Sequence, residues 1–297
     1  MRRATLLVVL AYAAALALAL ISGRAMEGFH PLTVALVADC AAMVAIFSFS
    51  MAFDNSSFYD PYWSVAPLLI AWFWQAQPEA AGANGARQIL VLVALAVWGA
   101  RLTWNWYRRW QGLDHEDWRY GDIRRKSGRA WPLASLAGVH FFPTLIVFAG
   151  LLPVYSAMVS PSPLGLLDLV ALAVAIGATA IEAVADEQLR GFVSGRSSHE
   201  EILATGLWKY SRHPNYFGEN SFWWGLALFG LAADPHFWSV AGAIAMTAMF
   251  VFVSVPLLDE RSAERRPGYR DHMKRVSALI PMPPRGRQMP LPPRQAA

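Results

Sequence analysis

Leu169-Val-Ala-Leu-Ala-Val-Ala-Ile-Gly-Ala-Thr-Ala-Ile-Glu-Ala-Val-Ala-Asp-Glu-Gln-Leu-Arg190 decides the fold. Apolar turns run into Glu182, Asp186 and Arg190, which recur every four residues and so share one helix face. A run this long and apolar reads as a membrane span. Ionisable groups inside a span are rare and face a bundle interior or a water-filled cavity. At the helix end a plain Asp186–Arg190 ion pair is the competing structural reading. Glu182 lies a turn deeper and is not explained by that pair.

The same pattern recurs outward in both directions. Of 297 residues, 56% are hydrophobic and only 15% charged, against about 25% charged in soluble domains. Mean hydropathy is +0.32. Apolar runs fall at roughly 5–22, 32–53, 62–76, 88–107, 134–158, 164–185, 217–233 and 237–258. The third and seventh are short. The sequence therefore predicts an all-α, polytopic transmembrane helical bundle of seven to eight spans. With eight spans and an inside N-terminus, Arg2, Arg3, the Arg108–Arg129 cluster, Arg190, Arg196, Lys209, Arg212 and the basic tail are inside, and only Arg24 and Arg87 are outside. That matches the positive-inside rule and predicts an integral, multi-pass protein with both termini cytoplasmic. The first 22 residues resemble a signal peptide but read as an uncleaved first span.

A net charge of +4 is explained by basic inner loops, so nucleic acid is not an expected partner; membrane lipids are. The single cysteine, Cys40, excludes an intrachain disulfide. No Gly-x-Gly-x-x-Gly follows a strand, no P-loop occurs, and the seven histidines lack zinc-binding spacing. No metal is expected. His30, His140 and His236 read as structural, and the 13 tryptophans mostly as an interfacial belt. Residues 108–133 predict an ordered loop or interfacial helix, and 285–297 an extended proline-rich tail.

Chemistry concentrates in Gly206-Leu-Trp-Lys-Tyr-Ser-Arg-His-Pro-Asn-Tyr-Phe-Gly-Glu219. Pro214 suits a helix start, which places Asn215 and Glu219 four apart on one face with Tyr216 beside them. Lys209, Arg212 and His213 precede it as a basic loop. Such a loop suits an anionic cofactor, with Arg212 and His213 on the anion and Asn215 and Glu219 on a neutral ring. Arg101, inside the fourth span, either snorkels or meets a buried anion: Glu182, Asp186 or a phosphate. Asp54-Asn-Ser-Ser-Phe-Tyr-Asp-Pro-Tyr-Trp63 offers Asp60, Tyr59 and Tyr62 as acids or donors, or is only a turn at Asp60-Pro61. Asp259-Glu-Arg-Ser-Ala-Glu-Arg-Arg-Pro-Gly-Tyr269 is either a solvated helix end or part of the site.

Taken together, Gly206–Glu219, the Asp259–Tyr269 stretch and Ile280-Pro-Met-Pro-Pro284 resemble the steroid 5α-reductase-like integral-membrane family, in its bacterial branch. The likeness covers about 165–284 and is weak before about residue 95. Its Arg-His-Pro-x-Tyr core is shared with sterol reductases and with isoprenylcysteine and phospholipid methyltransferases. The resemblance implies one transmembrane catalytic domain over 1–284 in a bacterial inner membrane, enclosing NADPH from the cytoplasmic side. It implies Asn215 and Glu219 by the nicotinamide amide, Asp186 and Arg190 by the ribose and phosphate, and Arg101 at the pyrophosphate. Arg212, Tyr216 and Asp259, Glu260 and Arg261 would complete the cage, with Glu182, Lys209 and His213 nearby. The family's carbonyl-polarising glutamate and tyrosine have their nearest counterparts in Asp60 with Tyr59 or Tyr62. Trp98 stands where the tyrosine would be, and Tyr59, Trp63 and Trp98 would line the substrate.

The expected reaction is hydride transfer from NADPH to the β-carbon of an enone in a lipophilic substrate drawn from the bilayer. Asp60, Tyr62 and Glu219 are the expected catalytic set. The alternative is a membrane methyltransferase using S-adenosylmethionine, with the same basic motif on its carboxylate. A transport-like bundle ranks last, because no paired repeat is visible.

Overall fold

In the computed structural model, which describes residues 2–285, the described residues are mostly helical. The helices are α1 Arg2–Ala25, α2 Pro31–Ala52, α3 Tyr62–Gln75, α4 Gly85–Arg109, α5 Trp118–Ser127, α6 Trp131–Ala134, α7 Phe142–Val159, α8 Leu166–Gly195, α9 Pro214–Ala233, α10 Trp238–Met249, α11 Val255–Arg265 and α12 Tyr269–Arg275. Two π-helical stretches, Ser135–Phe141 and Phe250–Ser254, join α6 to α7 and α10 to α11. Among the described residues the only β pairing is one isolated bridge, Ser211 to Ser277. Apart from Arg285, the expected proline-rich tail lies outside the described residues.

Among the described residues, six helical stretches are long and apolar enough to cross a membrane: Arg2–Ala25, Pro31–Ala52, Gly85–Arg109, Trp118–Val159, Leu166–Gly195 and Trp238–Arg265. This is a multi-pass membrane protein. The expected short spans are both present as helices but fall below that threshold. α3 has 14 residues, about 21 Å at 1.5 Å per residue, against a hydrocarbon core of about 30 Å. α9 carries Asn215, Glu219 and Asn220 in its first half, which lowers its apolarity.

The described residues form two compact units. The first comprises 2–176 and 223–246. Its α1 and α2 pack as a hairpin, with Ala11, Ala15, Ala42, Met43 and Ile46 buried between them and against Phe58, Tyr59 and Tyr62. His30 caps α2 by accepting from the Leu32 amide, and Pro31 takes the position where an N–H is not needed. Arg87 at the start of α4 and Asp168 at the start of α8 are both fully buried, and they form a two-pronged ion pair at 2.6 and 3.0 Å. Arg87 also donates to the Ser162 and Pro163 carbonyls, so the buried charge is satisfied on several sides. Trp74, Trp98 and Trp223 fill this core with almost no exposure. Trp223, expected near a span end in an interfacial belt, is instead packed inside, where its ring buries more area than at a surface. Trp104, 57% exposed, fits the belt.

The second unit comprises 177–222 and 247–285. The second half of α8 and the first turns of α9 lie in close contact. A Cβ at Gly218 would come within 2.8 Å of the Ala178 carbonyl and of Glu182 Cβ, so only glycine permits this approach. Gly206 has φ +57°, a left-handed conformation that glycine adopts without strain. The turn it makes places the Leu207 amide on the Gln188 side chain at 2.9 Å and Trp208 Nε1 on the Ala185 carbonyl at 3.0 Å. The last described segment returns along residues 210–212. Arg212 N–H donates to Ser277 O, Ser211 Oγ to Leu279 O and Met282 N–H to Tyr210 O.

Candidate functional site: a polar cavity around Asp259

The second unit's polar residues converge on one carboxylate. Asp259, buried in α11, accepts at Oδ1 from Arg212 Nε (3.1 Å), Tyr269 Oη (2.9 Å) and His213 Nε2 (3.0 Å). Its Oδ2 accepts from Arg212 Nη2 at 2.6 Å. Arg212 Nη1 donates to the Met273 and Val276 carbonyls. All three guanidinium nitrogens thus already have protein acceptors. Arg212 thereby ties α11, α12 and the return segment to the loop before α9 while still lining a cavity. Ser211 Oγ accepts from the His213 amide at 3.1 Å, and the His213 ring stacks on Tyr216 at 5.7 Å.

Arg212, His213 and Asn215 line a cavity of about 190 Å³ together with Trp208, Arg266, Tyr269 and His272. Asn215, one residue into α9, donates from Nδ2 to Asp186 Oδ1 at 3.2 Å. Asp186, Glu182 and Glu219 are all buried, at about 5–6% exposure. α8 and α9 thus join Asp186 directly to Asn215 and set Glu182 against Gly218, the neighbour of Glu219. Tyr216 is half-buried and rests on Phe250 in the π-helical stretch.

Other expectations are corrected. Arg190 is exposed and pairs with Glu187, not with Asp186; on an exposed helix end the nearer carboxylate wins. Glu260 points outward and Arg261 is half-buried, because one turn of α11 buries only Asp259. Lys209 is half-buried, its ammonium 5.7 Å from the Tyr210 ring.

In the first unit, Tyr62 does not pair with Asp60. Its hydroxyl donates to Asp39 Oδ1 at 2.6 Å. Asp60 accepts from Tyr120 at 2.7 Å, and Tyr59 shares a hydrogen with Thr144 at 2.8 Å. Burial pushes the Asp60 carboxyl up to about 6, against the hydrogen bond from Tyr120, which lowers it. Trp63 and Trp98 meet edge-on at 6.3 Å, and Trp98 meets Trp223 at 5.4 Å. Arg101 is half-buried one turn beyond Trp98 on α4.

Asp39, Tyr269 and His272 were not singled out from the sequence. Asp39 left a legible signal: it is the one carboxylate in the apolar run 32–53, and such residues carry meaning in a span. His272 left none, since only packing of α12 buries it. Burial and the nearby Arg212 and Arg275 guanidinia lower its pKa to about 4.

A buried polar cluster in a multi-pass helical protein defines the class: a membrane protein with a charged cluster beside a small cavity. The chain belongs to the family described as Protein of unknown function (DUF1295), whose model matches residues 46–276. That family is in the steroid 5α-reductase-like superfamily. A relative from Schizosaccharomyces pombe, described as Uncharacterized protein C594.04c, is 26% identical over 279 residues, covering 85% of this chain and 80% of its own. No solved structure matches the chain.

A dinucleotide tests the cavity by size. Ligand sites commonly hold roughly 300–1,000 Å³, so a cavity of about 190 Å³ takes one ring-sized or phosphate-bearing portion rather than the whole. The lining suits such a portion: flat aromatic walls from Trp208 and Tyr269, an amide at Asn215, and cationic Arg266.

Proposed function

We propose that this protein is an NADPH-dependent reductase of a carbon–carbon double bond conjugated to a carbonyl in a lipophilic substrate. The observation that carries the reading is Asn215, fixed by Asp186 in the lining of a cavity that Arg212 and His213, both held by Asp259, also line. Membership of the steroid 5α-reductase-like superfamily supports it.

The roles follow from hydrogen-bond capacity. Asn215 gives its NH₂ to Asp186, which leaves its carbonyl oxygen to accept from a carboxamide N–H. Glu219, one turn further along α9, is a second acceptor for such an amide. Trp208 and Tyr269 offer flat faces to a planar ring. The Asp259 cluster keeps the loop before α9 rigid, so these groups are placed before any ligand arrives. NADPH, when bound, supplies the hydride. In this reading a lipophilic substrate reaches the protein from the bilayer, and the charge pattern supports basic loops and both termini on the cytoplasmic side.

The test uses the full chain in detergent. NADPH should raise the melting temperature with a saturable dependence, following RT ln(1+[L]/Kd), and an added enone should consume it. Stabilisation by S-adenosylmethionine with no response to NADPH overturns the reading in favour of methyl transfer.

A further inference from the structure

The cavity wall contains a cation with no counter-charge. Arg266, just past α11, is half-buried and lines the cavity. Its Nε donates to the Glu201 carbonyl at 3.1 Å and its Nη1 to Ser262 Oγ at 3.1 Å. Both acceptors are neutral. Among the described residues no carboxylate lies within ion-pair distance of Arg266. Burial lowers its pKa, the Tyr269 phenol opposes that, and the neighbouring Arg196 and Arg265 lower it further. Arg212, the other guanidinium of the wall, is neutralised by Asp259; Arg266 is not. Holding the half-buried Arg266 near Arg196 and the exposed Arg265 costs free energy unless an anion offsets it.

We infer that Arg266, with Ser262 beside it and Arg196 behind it, forms a binding site for a phosphate monoester at the edge of the Asp259 cavity. A guanidinium held at Nε and Nη1 has a fixed plane and presents Nη2 in a set direction, the geometry that suits a phosphate oxygen. Ser262 Oγ accepts from Arg266 and sits beside the Tyr269 phenol, so it holds the guanidinium plane at the cavity wall. A dianion gains more than a monoanion from two nearby arginines, which favours a terminal phosphate over a bridging diester. Two sources carry that chemistry: the ribose phosphate that separates NADPH from NADH, and the headgroup of a phosphatidic acid. The coenzyme arm rests on the function proposed above; the phosphate site itself does not.

Arg266→Met and Ser262→Ala are compared with the unaltered full chain in detergent, titrated with NADPH, NADH and, separately, with vesicles containing phosphatidic acid or only phosphatidylcholine. The expected result is a loss of NADPH affinity of roughly 10- to 100-fold in Arg266→Met, with NADH binding unchanged. Ser262→Ala should lose less in the same direction, and it keeps the test open if Arg266→Met does not fold. Equal losses for both coenzymes, or none, overturn the inference. If neither coenzyme binds the unaltered chain, the reductase reading falls. Phosphatidic acid binding that depends on Arg266 then upholds the phosphate site, and its absence ends that as well.

Discussion

Arg212 and Asp259 are 47 residues apart in sequence and meet through two hydrogen bonds, Nε to Oδ1 and Nη2 to Oδ2. Both are nearly buried, at 8% and 6% side-chain exposure. The pair therefore works as a fastener between α11 and the loop that opens α9. Removing one member leaves the other charge stranded. Asp259→Ala should cost about 3–5 kcal/mol of stability, seen as a large drop in melting temperature in detergent. A drop of only a degree or two would mean that the charges are solvated after all.

Arg87 and Asp168 offer the same test in the first unit. Arg87→Met alone should destabilise by about 3–5 kcal/mol, whereas Arg87→Met with Asp168→Leu should recover much of the loss, since an apolar pair of similar volume often replaces a buried ion pair at little cost. A double variant no better than the single one contradicts this account.

Glu219→Gln should leave the melting temperature near that of the unaltered chain and slow NADPH-dependent turnover by about tenfold or more, as one charge-assisted hydrogen bond to the coenzyme amide weakens. Unchanged turnover removes Glu219 from the proposed site. Gly218→Val behaves differently. Its Cβ meets the Ala178 carbonyl at 2.8 Å, so α8 and α9 must separate, and both stability and activity should fall together.

Two groups give pH dependence of opposite sign. His272 has its folded pKa lowered from 6.5 to about 4. Between those values the unfolded chain binds more protons, so its contribution to stability is complete above about 6.5 and is lost as pH falls toward 4. Asp60 has its pKa raised from 3.8 to about 6. Here the folded chain binds more protons, so stability falls as pH rises through that interval. Melting curves across this range should lose the acid-side decline in His272→Gln and the opposing slope in Asp60→Asn. Curves parallel to the unaltered chain's in both variants would show that neither group is dry.

Some of this was legible because it is local. The apolar run 164–185 becomes the body of α8, and Pro214 opens α9 as its missing N–H requires. The spacing of Asn215 and Glu219 follows from helical periodicity alone. A multi-pass all-helical membrane protein was thus written in the order of residues, because span length and helix starts depend on near neighbours. Partner choice was not. Tyr62 takes Asp39, 23 residues earlier, over Asp60 two residues away, and Arg190 takes Glu187 over Asp186. Arg212 gives its charge to Asp259 and leaves Arg266 as the cavity's unbalanced cation. Each of these outcomes turns on which side chains packing buries together. In a dry interior a polar group must find whatever partner the fold brings within hydrogen-bond reach, and only the tertiary structure decides which that is.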